Sequence, residues 1–259
     1  MKKPRCQTSP YEPRLLALVA ALFNGGAIPD GSVVDCGANT GGESCFYADL
    51  APQRLIHAVE PLQAHLDSLN RTYLETRSNI RPLRGALGSA ERTVNVRLGR
   101  GSSMIKGVEK APSVAETAGA SGTADASFRV YRIDALFGEG GAWAGERLGF
   151  GHFDVEGAEE DLLRGGATVI RRDRPVFVVE SGGHTIHRLL DAAANLGYVL
   201  YMVPERCGTT PDCRNLVAVP REANEHIRSL VPALARATYE VNASNAFLPM
   251  AAQRALVGR

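Results

Sequence analysis

Short apolar runs alternate along this chain with longer stretches in which apolar side chains return every three or four positions. The runs at 32–35, 55–60, 80–83, 149–155, 176–180 and 198–203 predict strands. Strands buried on both faces are apolar throughout rather than alternating. The stretches at 42–50, 62–75, 158–170 and 185–196 predict helices between them. Strands and helices in alternation predict an α/β fold around a mainly parallel sheet. A further run at 216–219 follows its predecessor after only a loop, too short for a parallel crossover, so it is expected antiparallel beside it. At 91–98, Val94, Val96 and Leu98 alternate with Thr93, Asn95 and Arg97, the period of a half-exposed strand. Near the N-terminus, Leu15, Leu18, Val19, Leu22 and Phe23 form one helical stripe, and Asn24-Gly25-Gly26 stops it. Lys2, Lys3 and Arg5 ahead of that stripe imitate a secretory leader, but Glu12, Pro13 and Arg14 stand directly before the apolar run. An amphipathic helix packed on the sheet is the better reading, and no run reaches the roughly 20 apolar residues that cross a membrane.

Two regions depart from the alternation. Residues 107–127 are rich in Ala, Ser, Gly and Thr and offer little to bury, so they predict a mobile loop that is either a lid or surface slack. From Arg221 onwards, Ile227, Leu230, Val231 and Leu234 fall at helical spacing, and a second helix is expected near 246–256. These helices either cover the sheet edge or build a homodimer surface. The organisation expected is one domain over 1–220 with a helical extension, 221–259, packed on it. Of 259 residues, 44% are hydrophobic and 22% charged, ordinary for a chain with a core. The 29 basic and 28 acidic residues leave a net charge of +1, with no basic excess for gripping a phosphate backbone. Nucleic acid is therefore not the default partner. Five cysteines, an odd number without paired spacing, predict a reduced, cytoplasmic protein rather than a disulfide framework.

The chemistry concentrates at Val33-Val34-Asp35-Cys36-Gly37-Ala38-Asn39-Thr40-Gly41-Gly42, an apolar strand, an acid at its end, and glycines opening a helix. Such a turn lets a ligand approach the backbone at a helix N-terminus, outside the carboxyl ends of the strands. A dinucleotide site would want glycine where Asn39 stands, and the Lys-Ser/Thr ending of a nucleoside-triphosphate loop is absent. Asp35 would repel phosphate but suits a cationic amino-acid ligand. Glu60 ends the next strand roughly 25 positions on, near the spacing of about 20 expected for a ribose-binding carboxylate. Two carboxylates and a tight turn without a pyrophosphate grip point to S-adenosylmethionine. The plain alternative is a glycine-rich turn that only punctuates the fold.

Further blocks follow in order: Ser44, Val59-Glu60-Pro61, Gly85-Ala86-Leu87-Gly88, Arg132-Ile133-Asp134-Ala135-Leu136 and Phe153-Asp154-Val155-Glu156-Gly157-Ala158-Glu159 with Leu162, Leu163 and Gly165, then Val178-Val179-Glu180. Together with the glycine turn, these resemble the FkbM-type S-adenosylmethionine-dependent methyltransferases over about residues 30–220. The resemblance implies a Rossmann-like, seven-stranded class I methyltransferase fold. It also implies methyl transfer to oxygen on a sugar, polyketide or similar small molecule. Where the family commonly has Lys two residues before the aspartate, this chain has His152.

Roles follow from these placements. Asp35 is expected to face the methionine end of the donor, directly or through water, with Gly37, Ala38, Asn39 and Gly41 lining the turn beneath it. Glu60, followed by Pro61, is expected on the ribose hydroxyls, with S-adenosylhomocysteine as product. Ser44 belongs to the same donor site. Ala86 and Leu87 either flank the adenine or simply pack. Asp154 should meet both donor and acceptor. His152, Asp154, Glu156, Glu180 and His184 are expected as a polar rim around the acceptor, with Glu159 as a helix-start acid. Asp154, Glu180 and His184 have the chemistry to hold a divalent metal, which nothing in the spacing favours. Competing readings are methylation of nitrogen or carboxylate on a peptide or RNA, a non-catalytic donor-binding module, and a nicotinamide dehydrogenase, the last disfavoured by Asn39.

Overall fold

The computed structural model describes residues 3–96, 126–155, 157–182, 186–205, 213–246 and 253–257. Its main sheet contains β1 (Ser32–Cys36), β2 (Ile56–Glu60), β3 (Ile80–Arg84), β7 (Leu148–Phe153), β8 (Val176–Gly182), β9 (Tyr198–Val203), β10 (Cys213–Pro220) and β11 (Tyr239–Glu240). The spatial order is β11-β9-β10-β8-β7-β1-β2-β3. The pairs β3–β2, β2–β1, β1–β7 and β7–β8 are parallel, whereas β10 runs antiparallel to both β8 and β9. The expected antiparallel strand thus lies beside its predecessor, but it also inserts between β8 and β9. The sheet has eight strands rather than seven because Tyr239–Glu240 pairs with Met202 and Tyr201 at the β9 edge.

A second sheet of order β4-β6-β5 joins β4 (Ala86–Leu87), β5 (Arg92–Val96) and β6 (Ala126–Tyr131). The alternation expected at 91–98 appears in β5, whose Val94 is buried. Residues 126 and 127, read from sequence as loop, belong instead to β6, paired with Val96 and Asn95. The rest of the expected loop lies outside the described residues, as does most of the helix expected near 246–256.

Nine helices are described: α1 (Pro13–Asn24), α2 (Gly42–Leu50), α3 (Gln63–Leu69), α4 (Ile133–Phe137), α5 (Glu159–Gly165), α6 (Ala167–Asp173), α7 (Ile186–Asn195), α8 (Asn224–Leu230) and α9 (Pro232–Ala237). α3 runs on through a π-helical turn, Asn70–Leu74, which accounts for the longer helix expected at 62–75. The helix expected at 158–170 is broken in two at Gly166, whose ψ of 8° leaves the helical region. No helix among the described residues is long and apolar enough to cross a membrane.

Alternation along each strand divides the interior between the two faces of the sheet. Val34, Cys36, Phe153, Phe177 and Val179 pack with α4 to α7 on one face. Val33, Phe150, Val176 and Val178 pack on the other, with Leu15, Leu18, Val19 and Leu22 of α1, Cys45 and Tyr47 of α2, and Leu234 of α9. Ile227 and Val231 join that second layer, while Leu230 is left exposed. α1 is therefore the sheet-packing helix that its stripe predicts.

The cysteine reading is corrected. Cys6 and Cys45 form a disulfide, closing a loop between residues 39 apart and tying the N-terminal segment to α2. Cys36 is free and buried, and burial pushes its thiol pKa up. It packs as a small hydrophobe.

Candidate functional site

Residues 37–41 carry the chain from β1 into α2 at the carboxyl edge of the parallel strands. Gly37 and Gly41 have φ values of +86° and +87°, and Asn39 has +48°. The N–H groups of Gly37 and Ala38 donate to the Val59 carbonyl at 3.0 and 3.1 Å. The Asn39 N–H donates to Glu60 Oε2 at 2.9 Å. The turn is thereby lashed to the end of β2. On its other side the Asp154 N–H donates to the Cys36 carbonyl at 3.0 Å. A Cβ placed on Gly37 would fall 1.9 Å from the Asp154 carbonyl oxygen. Only glycine allows the chain leaving β7 to lie against this turn.

Glu60 is 5% exposed. Its Oε1 accepts the Leu62 N–H at 2.9 Å and lies 3.2 Å from His65 Nδ1. Burial raises its pKa, against the opposing pull of the Leu62 N–H, His65 and the Asn39 N–H. A carboxylate offers about four acceptor positions, so these contacts leave room for a further donor. Pro61 follows it, half-buried. Ala86 and Leu87 form β4, and Leu87 is part of the packed core.

Asp35 is enclosed by protein. Its register partner on β7 is His152, and both side chains lie on the α2 face of the sheet. His152 Nδ1 is 3.0 Å from Asp35 Oδ1, and the Ser44 hydroxyl of α2 donates to Asp35 Oδ2. Asp35 is 1% exposed and His152 7%, with Ser44 fully buried. Both oxygens of Asp35 are engaged inside the protein. His152 is likewise not on an open rim, because its register and its bond to Asp35 turn it inward. Burial alone would lower the His152 pKa, but the bond to Asp35 and the charges of Asp35, Glu43 and Asp154 lift it to about 9.

Asp154 follows β7 directly and is half-buried at the sheet edge. Glu180, near the end of β8, is also half-buried and pairs across the ladder with Asn215. The structure thus brings the glycine turn, Glu60, Asp154 and Glu180 to one edge. Glu156 and His184 lie outside the described residues. Glu159 Oε1 accepts the Gly157 N–H at 2.8 Å, a helix-start contact.

One feature beside this edge was missed in the sequence. The segment before α1 runs over the start of α2 and on towards β10. The Gln7 carbonyl oxygen lies 2.1 Å from where a Gly42 side chain would begin, so this second glycine makes room for the strap. The Gln7 N–H donates to the Tyr73 hydroxyl at 3.1 Å, and the Ser9 N–H donates to Glu43 Oε1 at 2.7 Å. Asn215 Nδ2 donates to Glu12 Oε1 at 2.7 Å. Glu205 accepts the Arg14 and Leu15 N–H groups at 2.9 and 2.6 Å, satisfying the open start of α1. The strap therefore bridges α2 and β10 beside the strand ends. Burial and the neighbouring Asp35 raise the Glu43 pKa. The run Gly41-Gly42 was the available signal, since the second glycine serves no positive φ of its own.

Residues 35–200 match the family described as Methyltransferase FkbM domain. No curated protein matches the chain in sequence. Among solved structures, a methyltransferase FkbM from Methylobacillus flagellatus is 18% identical, with a TM-score of 0.49. That match covers 77% of this chain and 47% of the other, so the chain spans about half the length of that relative. The fibrillarin of Aeropyrum pernix, solved with natively bound S-adenosyl-L-methionine, is 14% identical at a TM-score of 0.43, covering 78% of this chain and 74% of its own. A precorrin-6y C5,15-methyltransferase from Geobacter metallireducens is 12% identical at a TM-score of 0.43, covering 85% and 93%.

Proposed function

Because the chain belongs to the FkbM methyltransferase family, we propose that it transfers a methyl group from S-adenosylmethionine, held over the glycine turn, to a hydroxyl group of a small molecule. The observation that carries this reading is the convergence of the turn, Glu60 and Asp154 at the carboxyl ends of three adjacent parallel strands, β2, β1 and β7. Ligands of open α/β sheets bind at such an edge. The residues present suit the donor. The buried Glu60 carboxylate retains acceptor capacity for a ribose hydroxyl, and the positive-φ turn brings bare backbone to the site.

When bound, S-adenosylmethionine supplies an electrophilic methyl group on a sulfonium. The chain's own part is to orient and to handle a proton. Glu60 fixes the ribose, while residues 37–41 shape the floor of the site. Asp154 holds the acceptor hydroxyl in line and takes its proton on a carboxylate oxygen. Glu180 stands on the next strand as a second polar contact for the acceptor. A net charge of +1 is no overall basic excess, which favours a small acceptor over RNA.

The test is a methyl-release screen over hydroxylated small molecules, amines, carboxylic acids, peptides and RNA, scored by S-adenosylhomocysteine produced. Turnover on hydroxyl acceptors is expected, insensitive to a chelator. Asp154→Asn should lower kcat by about a hundredfold while donor affinity stays within about threefold. Transfer only to amines, peptides or RNA would replace the acceptor assignment. Full turnover in Asp154→Asn would move the base elsewhere.

A further inference from the structure

We propose that His152 is a positioning residue: as an imidazolium it fixes Asp35, and through Asp35 and Ser44 it sets the shape of the glycine turn. The inference rests on the reading that the donor binds over that turn. His152, Asp35 and Ser44 form a continuous buried chain from β7 through β1 to α2. Residues 37–41 alone separate the end of β1 from the start of α2. Whatever fixes the distance between that strand end and that helix therefore fixes the turn. Asp35 does so with both oxygens, one taken by the helix and one by the imidazole.

The groups facing His152 make the charged form the working one. Asp35 approaches from β1, Glu43 from α2, and Asp154 from the end of its own strand. The ring of Tyr47, also on α2, meets the imidazole edge-on at 5.7 Å. Asp35 touches the imidazole directly at 3.0 Å in a buried site, and with the charges of Glu43 and Asp154 it lifts the His152 pKa to about 9. Protonated, the ring presents Nδ1–H to Asp35 as a charge-assisted donor. Without that proton the ring still has one N–H to donate, but Asp35 is a buried carboxylate lacking its counter-ion, so the bond loses its charge assistance and the pair its hold. Asp35, held then from the α2 side alone by Ser44, would no longer fix the distance between α2 and β1, and the turn would lose that constraint. A lysine at position 152 would keep its charge past pH 10. The histidine instead gives donor binding an upper pH limit.

Calorimetric titration with S-adenosylhomocysteine from pH 7 to 10 in the wild type, His152→Lys and His152→Gln tests this. At pH 7.5, His152→Lys should bind within about threefold of the wild type, and His152→Gln about tenfold or more weaker. Between pH 8 and 10 the wild type should lose about tenfold more affinity than His152→Lys, which reports the ligand's own amine titration. Parallel profiles for those two proteins, or wild-type affinity in His152→Gln, would overturn the proposal. A second measurement needs no donor and no variant: amide resonances of Gly37 and Gly41 should shift with pH in step with the His152 ring. Their indifference to that titration would overturn the proposal. A wild type that binds no S-adenosylhomocysteine at any pH would refute the donor reading instead, leaving the resonance measurement to decide the role of His152.

Discussion

Cutting the Cys6–Cys45 bond should destabilise the protein through its unfolded state while leaving the folded site nearly intact. The bond joins residues 39 apart in sequence. On the loop-closure model, releasing a loop of that length returns roughly 13 cal/mol/K to the unfolded chain, or about 4 kcal/mol at 25 °C. The folded strap does not depend on the bond alone. Arg77 Nη2 donates to the Pro4 carbonyl at 2.9 Å, and the Gln7 and Ser9 N–H groups keep their partners on Tyr73 and Glu43. Spread over the entropy of unfolding of a chain this long, about 4 kcal/mol corresponds to a Tm lower by about 7 °C. Thermal and denaturant unfolding of the wild type, with and without a dithiol reductant, and of Cys6→Ser would measure it. Reductant should bring the wild type to the stability of Cys6→Ser and leave that variant unchanged, with S-adenosylhomocysteine affinity altered less than about threefold in both. Equal stability of the oxidised wild type and Cys6→Ser, or an equal effect of reductant on both, would refute the reasoning.

Gly37→Ala would drive a methyl group into the Asp154 carbonyl at a φ of +86°, so it should cost at least about 3 kcal/mol of stability by denaturant unfolding and abolish detectable S-adenosylhomocysteine binding. Glu205→Ala strips the two acceptors from the Arg14 and Leu15 N–H groups and should cost about 2 kcal/mol, with Glu205→Gln costing less because one acceptor oxygen remains. The raised His152 pKa, about 9 in the folded protein against roughly 6.5 unfolded, means that its stabilisation is complete below pH 6.5 and is lost as pH rises to 9. Across that window denaturant-measured stability should fall by up to about 1.4 kcal/mol per pH unit, and His152→Lys should remove the slope.

Much of this was legible in the sequence for a simple reason. Strands such as Val176–Gly182 are buried on both faces, so their apolar runs announce them directly. The glycine turn was legible because positive φ at Gly37 and Gly41 restricts residue choice. What escaped were features made by distant partners. Ala126–Tyr131 has only a short alternation, Phe128 and Val130 against Ser127 and Arg129, and its extent is fixed by pairing with Arg92–Val96 and Ala86–Leu87. Tyr239–Glu240 is a strand only because the β9 edge accepts it. Cys6 and Cys45 have no telling spacing, and their bond follows from the strap lying across α2. His152 read as a rim residue because its position along β7 is evident in sequence while the Asp35↔His152 register, which turns it inward, is not. The engagement of Asp35 with His152 and Ser44 was hidden for the same reason.

The central claim, that this edge binds S-adenosylmethionine rather than a dinucleotide, is tested most directly by calorimetric titration of the wild type and Glu60→Ala with S-adenosylhomocysteine and with NAD. The account predicts micromolar S-adenosylhomocysteine binding, no comparable NAD binding, and at least about tenfold weaker affinity in Glu60→Ala, the scale of roughly 1.5–3 kcal/mol for lost hydrogen bonds to a buried carboxylate. NAD binding as tightly as S-adenosylhomocysteine, or Glu60→Ala binding as the wild type does, would contradict it.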